Sequence, residues 1–306
     1  MGDPPGGDAS AEAIRRDARR RNRRAISAMV LASLLYGISD AAMKVVAGSI
    51  PAGQSVFLRS VGVVAVIGFA AAWSGALGAL ARLPLQLTAM RGACDAGNSI
   101  FFQTALARMS LPDAMAILQL APLSMTALSA LVLGARVGWR RWLAVAVGLV
   151  GALLIIKPGT SAFNPFALLV ILSVLCGAGR DATTRFFDRA LPPLSLLLAS
   201  QAAVVLITAG YGLLETWVVP SARQMAQLAV GALFFAGGHL ATIYAVRDSD
   251  WSVVAPFRYT GIVWVIFLGF VIWGDVPDSL SFLGIAILIG AGLYTLHRER
   301  MVVRGR

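Results

Sequence analysis

Apolar residues in this chain come in ten long runs, and polar residues gather in short clusters between them. A helix crossing a bilayer needs about 20 mostly apolar residues. Runs of that kind cover 25–47, 54–74, 86–107, 113–134, 140–157, 164–186, 193–216, 223–246, 250–273 and 279–297. The links are marked by helix breakers: SIPAGQ, RMSLPD, KPGTSAFNP, RALPP, VVPSAR and GDVPDS. Proline and glycine there end one helix and open the next. Links this short hold no soluble domain and make consecutive helices antiparallel neighbours. The pattern predicts an all-α polytopic membrane protein with ten transmembrane helices.

Composition agrees. Of the 306 residues, 58% are hydrophobic and 13% charged, where a soluble domain carries about 25% charged residues. The mean hydropathy is +0.77. The net charge of +11 is uneven and clusters in RRDARRRNRR and after Leu296. Because it flanks apolar spans, it is read as a signal for topology and anionic lipid. No soluble module presents a basic face to nucleic acid. The first apolar run is too long for a signal-peptide core and is expected to remain as a span. Residues 1–24 are expected to be a disordered basic tail, and 299–306 a second basic tail.

Charge asymmetry fixes the expected orientation. With the N-terminus in the cytoplasm, the inner segments hold 18 arginines, and the outer links hold only Arg108, Lys157 and Arg223. Such a bias fits an even number of spans with both termini inside the cytoplasmic membrane. Cys94 and Cys176 both fall in apolar runs and read as packing residues. No disulfide, metal site or cofactor is expected from them.

The two halves of the chain resemble each other at an offset near 140 residues. LVLGARVGWRRWLAVAVGLVGALLI in the first corresponds to VIWGDVPDSLSFLGIAILIGAGLYT in the second. Five helices per unit is an odd number, so the second unit is expected upside down relative to the first. The units are 25–158 and 163–298. GISDAAMK in span 1 likewise meets GAGRDATTR in span 6. Asp40 and Lys44 are four apart, as are Asp181 and Arg185, so each acid shares a helix face with a base. These are expected to be gate charge pairs, one near each mouth of a pathway. The plainer reading is that Lys44 and Arg185 reach for the interface and neutralise their acids.

Several stretches carry a resemblance to the drug/metabolite transporter superfamily, specifically the EamA-type ten-helix carriers. They are SDAAMKVV, QSVFLRS, LPDAMAILQLAPL, LGARVGWRRWLAVAVGLVGALLIIKPG and SVVAPFRYTGIVWVIFLGFVIWGDVPD. The resemblance spans roughly residues 25–297 and is nearest the branch of S-adenosylmethionine uptake carriers. It implies a secondary transporter that moves a small organic metabolite by alternating access. Two departures stand out. Ala135 and Arg136 follow the glycine that closes span 4, where relatives usually have Glu, and Arg258 stands where relatives often carry Glu.

Polar residues at mid-depth are the candidate substrate or pathway residues. Arg91, Asp95 and Asn98 in span 3 recur at spacings of four and three and line one face. Span 4 offers Gln119, span 6 Arg180, span 8 His239, and span 9 Arg258, Tyr259 and Trp264. Arg258 lies roughly 12 Å along its span at 1.5 Å per residue. A guanidinium there costs about 2.5 kcal/mol or more unless paired or solvated. An ion pair with Asp95 or Asp40 that locks helices is the structural alternative. A lone histidine in a helix commonly bonds a neighbouring carbonyl, while its titration also suits proton coupling.

No phosphate-binding loop is present, so a proton, an exchanged solute or the substrate gradient is the expected driving force. No histidine–acid cluster at ligand spacing supports an embedded enzyme. Drug or amino-acid efflux, and a non-transporting sensor or assembly subunit, are the alternatives. Ten helices can enclose a pathway alone, so a monomer is the default, and a homodimer is compatible with the sequence.

Overall fold

A computed structural model describes residues 7–304 apart from 122, 125, 126, 129–138, 161, 162, 185, 189 and 248–253. Ten α-helices are described, and each falls within or across one predicted span. They are α1 (Gly7–Val46), α2 (Ala52–Trp73), α3 (Leu85–Leu106), α4 (Leu111–Leu118), α5 (Trp139–Ile156), α6 (Ala167–Thr184), α7 (Pro193–Tyr211), α8 (Ala222–Arg247), α9 (Thr260–Trp273) and α10 (Ser279–Arg304). A 3₁₀ turn, Ala255–Tyr259, leads into α9. Proline opens several helices: Pro51 precedes α2, Pro84 precedes α3, and Pro192 precedes α7.

Helix ends follow from local chemistry. Ser110 caps α4 by accepting the Asp113 amide and donating its own hydroxyl to the Asp113 carboxylate at 2.6 Å. Gly274 stops α9 in the left-handed region, φ 74°, with Gly274 N–H on Phe270 O and Asp275 N–H on Gly269 O. Two ends extend beyond the sequence expectation. α1 begins at Gly7 and α10 runs to Arg304, into segments read from sequence as tails. The Ala-, Arg- and Glu-containing stretch before residue 25 has the propensity for this, since such straight-chain residues lose little freedom in a helix.

Six helices are long and apolar enough to cross a membrane, and two shorter apolar helices, Trp142–Ile156 and Ser279–Thr295, join them. α3 has the length but carries Arg91, Asp95, Asn98 and Gln103. Its polarity is tolerated because those groups turn inward. Polarity runs inside-out across the molecule. Phe69, Leu206, Phe267 and Phe270 lie on the outside, each more than half exposed, while Ser39, Ser60, Arg59, Asp95, Gln103, Ser173 and Gln201 are buried. An apolar exterior around a polar interior is stable in lipid.

Packing is symmetric between the halves. α1 packs on α8, and α6 packs on α3; α2 packs on α8, and α3 on α7; α1 packs on α9, and α6 on α4. The remaining principal pairs, α2 with α7, α5 with α10, and α4 with α9, map onto themselves when the first five helices exchange with the second five. Small residues permit the closest approaches. A Cβ on Gly151 would sit 2.8 Å from the Gly284 carbonyl oxygen, and one on Gly284 would sit 2.5 Å from that of Gly151.

One contact outside the spans ties α5 to α10. Lys157 bonds the Asp278 carboxylate, and Asp278 Oδ1 accepts the Ser281 amide at 2.8 Å, capping α10. The Lys157 bond and this cap hold the Asp278 carboxyl down at about 2, from an ordinary 3.8. A carboxylate depressed by folding stabilises fully above its ordinary value and loses that contribution as pH falls through the folded value. The pair is exposed, so the cap is the larger part. Asp278→Ala is expected to cost about 1 kcal/mol at pH 7. The difference from wild type should fade between about pH 4 and pH 2. Melting curves across that range check it, and a pH-independent difference refutes it.

Candidate functional site

The polar face of α3 meets the second half of the molecule midway along its length. Asp95 is 4% exposed. Its Oδ1 accepts Arg180 Nη1 at 3.1 Å from α6, and its Oδ2 accepts Gln201 Nε2 at 2.9 Å from α7. Arg180 Nε also donates to Asp181 Oδ1 at 2.9 Å, so one guanidinium bridges two carboxylates. Charge-assisted bonds of this kind are the strong ones and compensate the desolvation of buried ions.

Arg91 lies one turn before Asp95 on α3. Its Nε donates to Thr184 Oγ1 at 3.0 Å, and its Nη1 donates to Ser200 Oγ. Asn98 lies just after Asp95 and donates to Ser173 O at 2.8 Å and Ser173 Oγ at 2.9 Å; that hydroxyl donates back to Asn98 O. The three residues predicted to share a face therefore all bond the second half. Asn98 stitches α3 to α6, while Arg91 and Asp95 enter the charged centre.

His239 Nδ1 lies 3.1 Å from Phe235 O, one turn earlier on α8. Its ring meets Tyr36 of α1 edge-on at 5.2 Å. Tyr36 in turn shares a hydrogen bond with Thr242 Oγ1 at 3.4 Å. Arg258 is exposed, and its charge acts on Tyr36 and Asp181. It thus lies within electrostatic reach of Asp181, the partner of Arg180. Asp95 takes its bonds from Arg180 and Gln201 rather than from Arg258.

Other candidates go elsewhere. Tyr259 is buried against Gly292 of α10, with a hydroxyl lacking a partner among the described residues. Trp264 packs opposite Gly37 of α1, and its Nε1 is similarly unpartnered. Gln119 lies where α4 breaks after Leu118, half-buried and with no side-chain bond among the described residues. Lys44 does not bond Asp40. Its ammonium donates to the Leu106 carbonyl at 2.7 Å and to the Met109 carbonyl, at the end of α3. A cation at a helix C-terminus satisfies orphan carbonyls and complements the helix dipole. Asp181 pairs with Arg180, and Arg185 lies outside the described residues.

Sequence reading passed over Arg59, Tyr36, Phe235 and Gln201 as site residues. Arg59 is 6% exposed and stacks on the Phe235 ring at 4.5 Å. The available signal was its charge five residues inside span 2.

Residues 23–157 match the EamA-like transporter family. The pseudopaline exporter of Pseudomonas aeruginosa (strain UCBPP-PA14) is 28% identical over 279 residues, covering 89% of this chain and 95% of the relative. The chain is thus similar to the EamA-type carriers of the drug/metabolite transporter superfamily. The S-adenosylmethionine uptake transporter of Rickettsia prowazekii (strain Madrid E) is 28% identical over 185 residues, 58% of this chain and 60% of the relative. The riboflavin transporter of Rhizobium johnstonii is 26% identical over 194 residues, 63% and 64% respectively. A crystal structure superposes with a TM-score of 0.64 at 19% identity, over 90% of this chain and 98% of the other, which shows the shared fold. The protein is a multi-pass membrane transporter of small molecules and not an enzyme.

Proposed function

We propose that this transporter moves a small mixed-charge organic metabolite by alternating access, rocking two inverted five-helix repeats about the Asp95–Arg180 centre. The observation that carries the reading is that centre itself. Asp95 from the first half is bonded by Arg180 and Gln201 from the second. A carrier of this architecture binds at mid-membrane where its repeats meet. Charged groups at that depth are costly and mark a pathway. The symmetric packing of the halves supports the repeats, here taken as 25–158 and 163–298.

Access is uneven. The Asp181 side chain is 42% exposed and Arg180 24%, whereas Asp95 is 6%. Both termini lie on the face toward which Asp181 and Arg258 sit, because ten antiparallel helices return the chain to its starting side. On the opposite face Lys44 bonds the end of α3, Glu215 accepts the amides of Gly53 and Gln54, and Gln54 pairs with Val218. These bonds support a conformation closed at that face and open toward the termini. The arginine bias of the terminal face supports placing it in the cytoplasm, with the protein in the cytoplasmic membrane. Lys44 then serves the gate by latching carbonyls, with Asp40 left for another role.

The relatives named above include an exporter and uptake transporters, and their substrates differ. S-adenosylmethionine, riboflavin and amino acids are therefore the first substrates to test. The protein is reconstituted in sealed liposomes and loaded with each label, with and without an inside-alkaline gradient. Saturable flux of at least one compound above empty liposomes supports the reading, and gradient dependence assigns protons as the coupling ion. Absence of flux for every compound in both directions removes it in favour of a sensor or assembly subunit.

A further inference from the structure

We infer that Asp40 and Arg59 clamp a zwitterionic head group, a carboxylate and a protonated amine carried on neighbouring atoms of the substrate. The inference rests on the transporter reading and adds a subsite to it.

Arg59 is an unusual buried arginine. It projects from α2, is more than nine-tenths buried, and has no ion-pair partner among the described residues. Among the described residues its one hydrogen bond is a long one, Nη2 to Ser99 Oγ at 3.3 Å. Its Nε is buried without any partner. A guanidinium offers five donors, and a buried ion with donors unspent is expensive. The Phe235 ring at 4.5 Å holds the guanidinium plane and offsets part of that cost. It cannot use the in-plane donors. The edge carrying Nε is therefore preorganised for a planar anion, and carboxylate is the group that matches such a fork.

Asp40 completes the pair from α1. It lies one turn beyond Tyr36, and Tyr36 packs edge-on against the same Phe235 ring at 5.8 Å. Phe235 thus has Arg59 on it and the Tyr36–Asp40 turn beside it. Among the described residues no hydrogen bond holds the Asp40 carboxylate. Asp40 and Arg59 act on each other through charge and yet are not among the ion pairs of the described residues. The other acid near Arg59, Asp95, is already bonded by Arg180 and Gln201. Arg59 lies on the ring and Asp40 one turn from the tyrosine beside it; two such opposite charges, each with bonding capacity left over, fit a ligand that brings the complementary charges in the reverse order. A simple anion would meet Asp40, and a simple cation would meet Arg59.

The test is equilibrium binding to the purified full-length protein. Labelled S-adenosylmethionine and labelled L-amino acids are the probes, each paired with its decarboxylated analogue. Wild-type protein is expected to bind an intact probe at least about 10-fold more tightly than the analogue. Arg59→Gln is expected to remove that preference, weakening the intact probe about 10-fold and leaving the analogue unchanged. Asp40→Asn is expected to weaken both members of the pair, because both keep the amine. If Arg59→Gln does not fold, Arg59→Lys and Asp40→Asn carry the test, with Arg59→Lys keeping part of the preference. Equal losses for both ligands in the Arg59 variant, unchanged binding in both variants, or no saturable binding of any intact probe overturns the clamp. Riboflavin flux separates the two readings. If wild type and both variants move riboflavin alike while no intact probe binds, the carrier stands and the clamp falls. If wild type moves nothing, the carrier reading fails with it.

Discussion

Asp95→Ala will abolish saturable transport, with a loss of at least about 100-fold, and will lower the melting temperature of the purified protein. The Asp95 carboxylate is buried, and both its oxygens are used, by Arg180 at 3.1 Å and Gln201 at 2.9 Å. Deleting it strands donors on two helices of the other half. Breaking a buried pair by removing one partner typically costs about 3–5 kcal/mol. The low end applies, because Arg180 keeps Asp181 and is partly exposed. Asp95→Asn separates charge from shape. It keeps an acceptor for one donor and loses the charge, so it is expected to fold better than the Ala variant while transporting as poorly. Flux in liposomes and melting curves read the two effects. Wild-type flux in Asp95→Ala would show that the Asp95–Arg180 centre only fastens helices.

The second large effect is steric. Gly284→Val will separate α5 from α10 and reduce the yield of folded protein. Even one added carbon at Gly284 falls 2.5 Å from the Gly151 carbonyl oxygen and 2.8 Å from Ile155. The oxygen is backbone and cannot rotate away, so the helices must part. Overpacking a tight contact costs about 1–3 kcal/mol, occasionally more. A branched side chain placed against a backbone belongs at the upper end. In a bilayer no hydrophobic driving force between helices replaces the lost packing. Gly290→Val on the same helix is the control, since a Cβ there meets nothing within 4 Å. Monodispersity on size exclusion and melting temperature compare the two. Equal behaviour of the two variants would mean that the α5–α10 contact does not set stability.

Much of the fold was legible because lipid imposes a simple rule. Every buried backbone group must bond within its own helix, so apolar length alone locates the spans. Breakers such as Pro84 and Gly274 then mark the ends. The candidate site's geometry was legible in part. Arg91, Asp95 and Asn98 share a face by their spacing, and that face does meet the second half. Arg180 and Asp181 gather around it. His239 bonds its own helix's carbonyl, the plainer of its two readings.

Partnership across helices was not legible. A spacing of four says that Asp40 and Lys44 share a face, but not which neighbour each one meets. Lys44 sits next to the exposed carbonyls ending α3, and those carbonyls take its ammonium. Arg59 looked like an ordinary charge early in span 2 until the packing of α2 on α8 laid it over Phe235. Gln201 acquired a role only when α7 brought it to Asp95, 106 residues away. The sequence by itself determined the helical, lipid-solvated architecture and a short list of costly polar residues. Those follow from local hydrophobicity and periodicity, which are properties of neighbours along the chain. Only the tertiary structure decided which charges meet, because hydrogen bonds act over about 3 Å, and which groups come that close depends on how the helices pack.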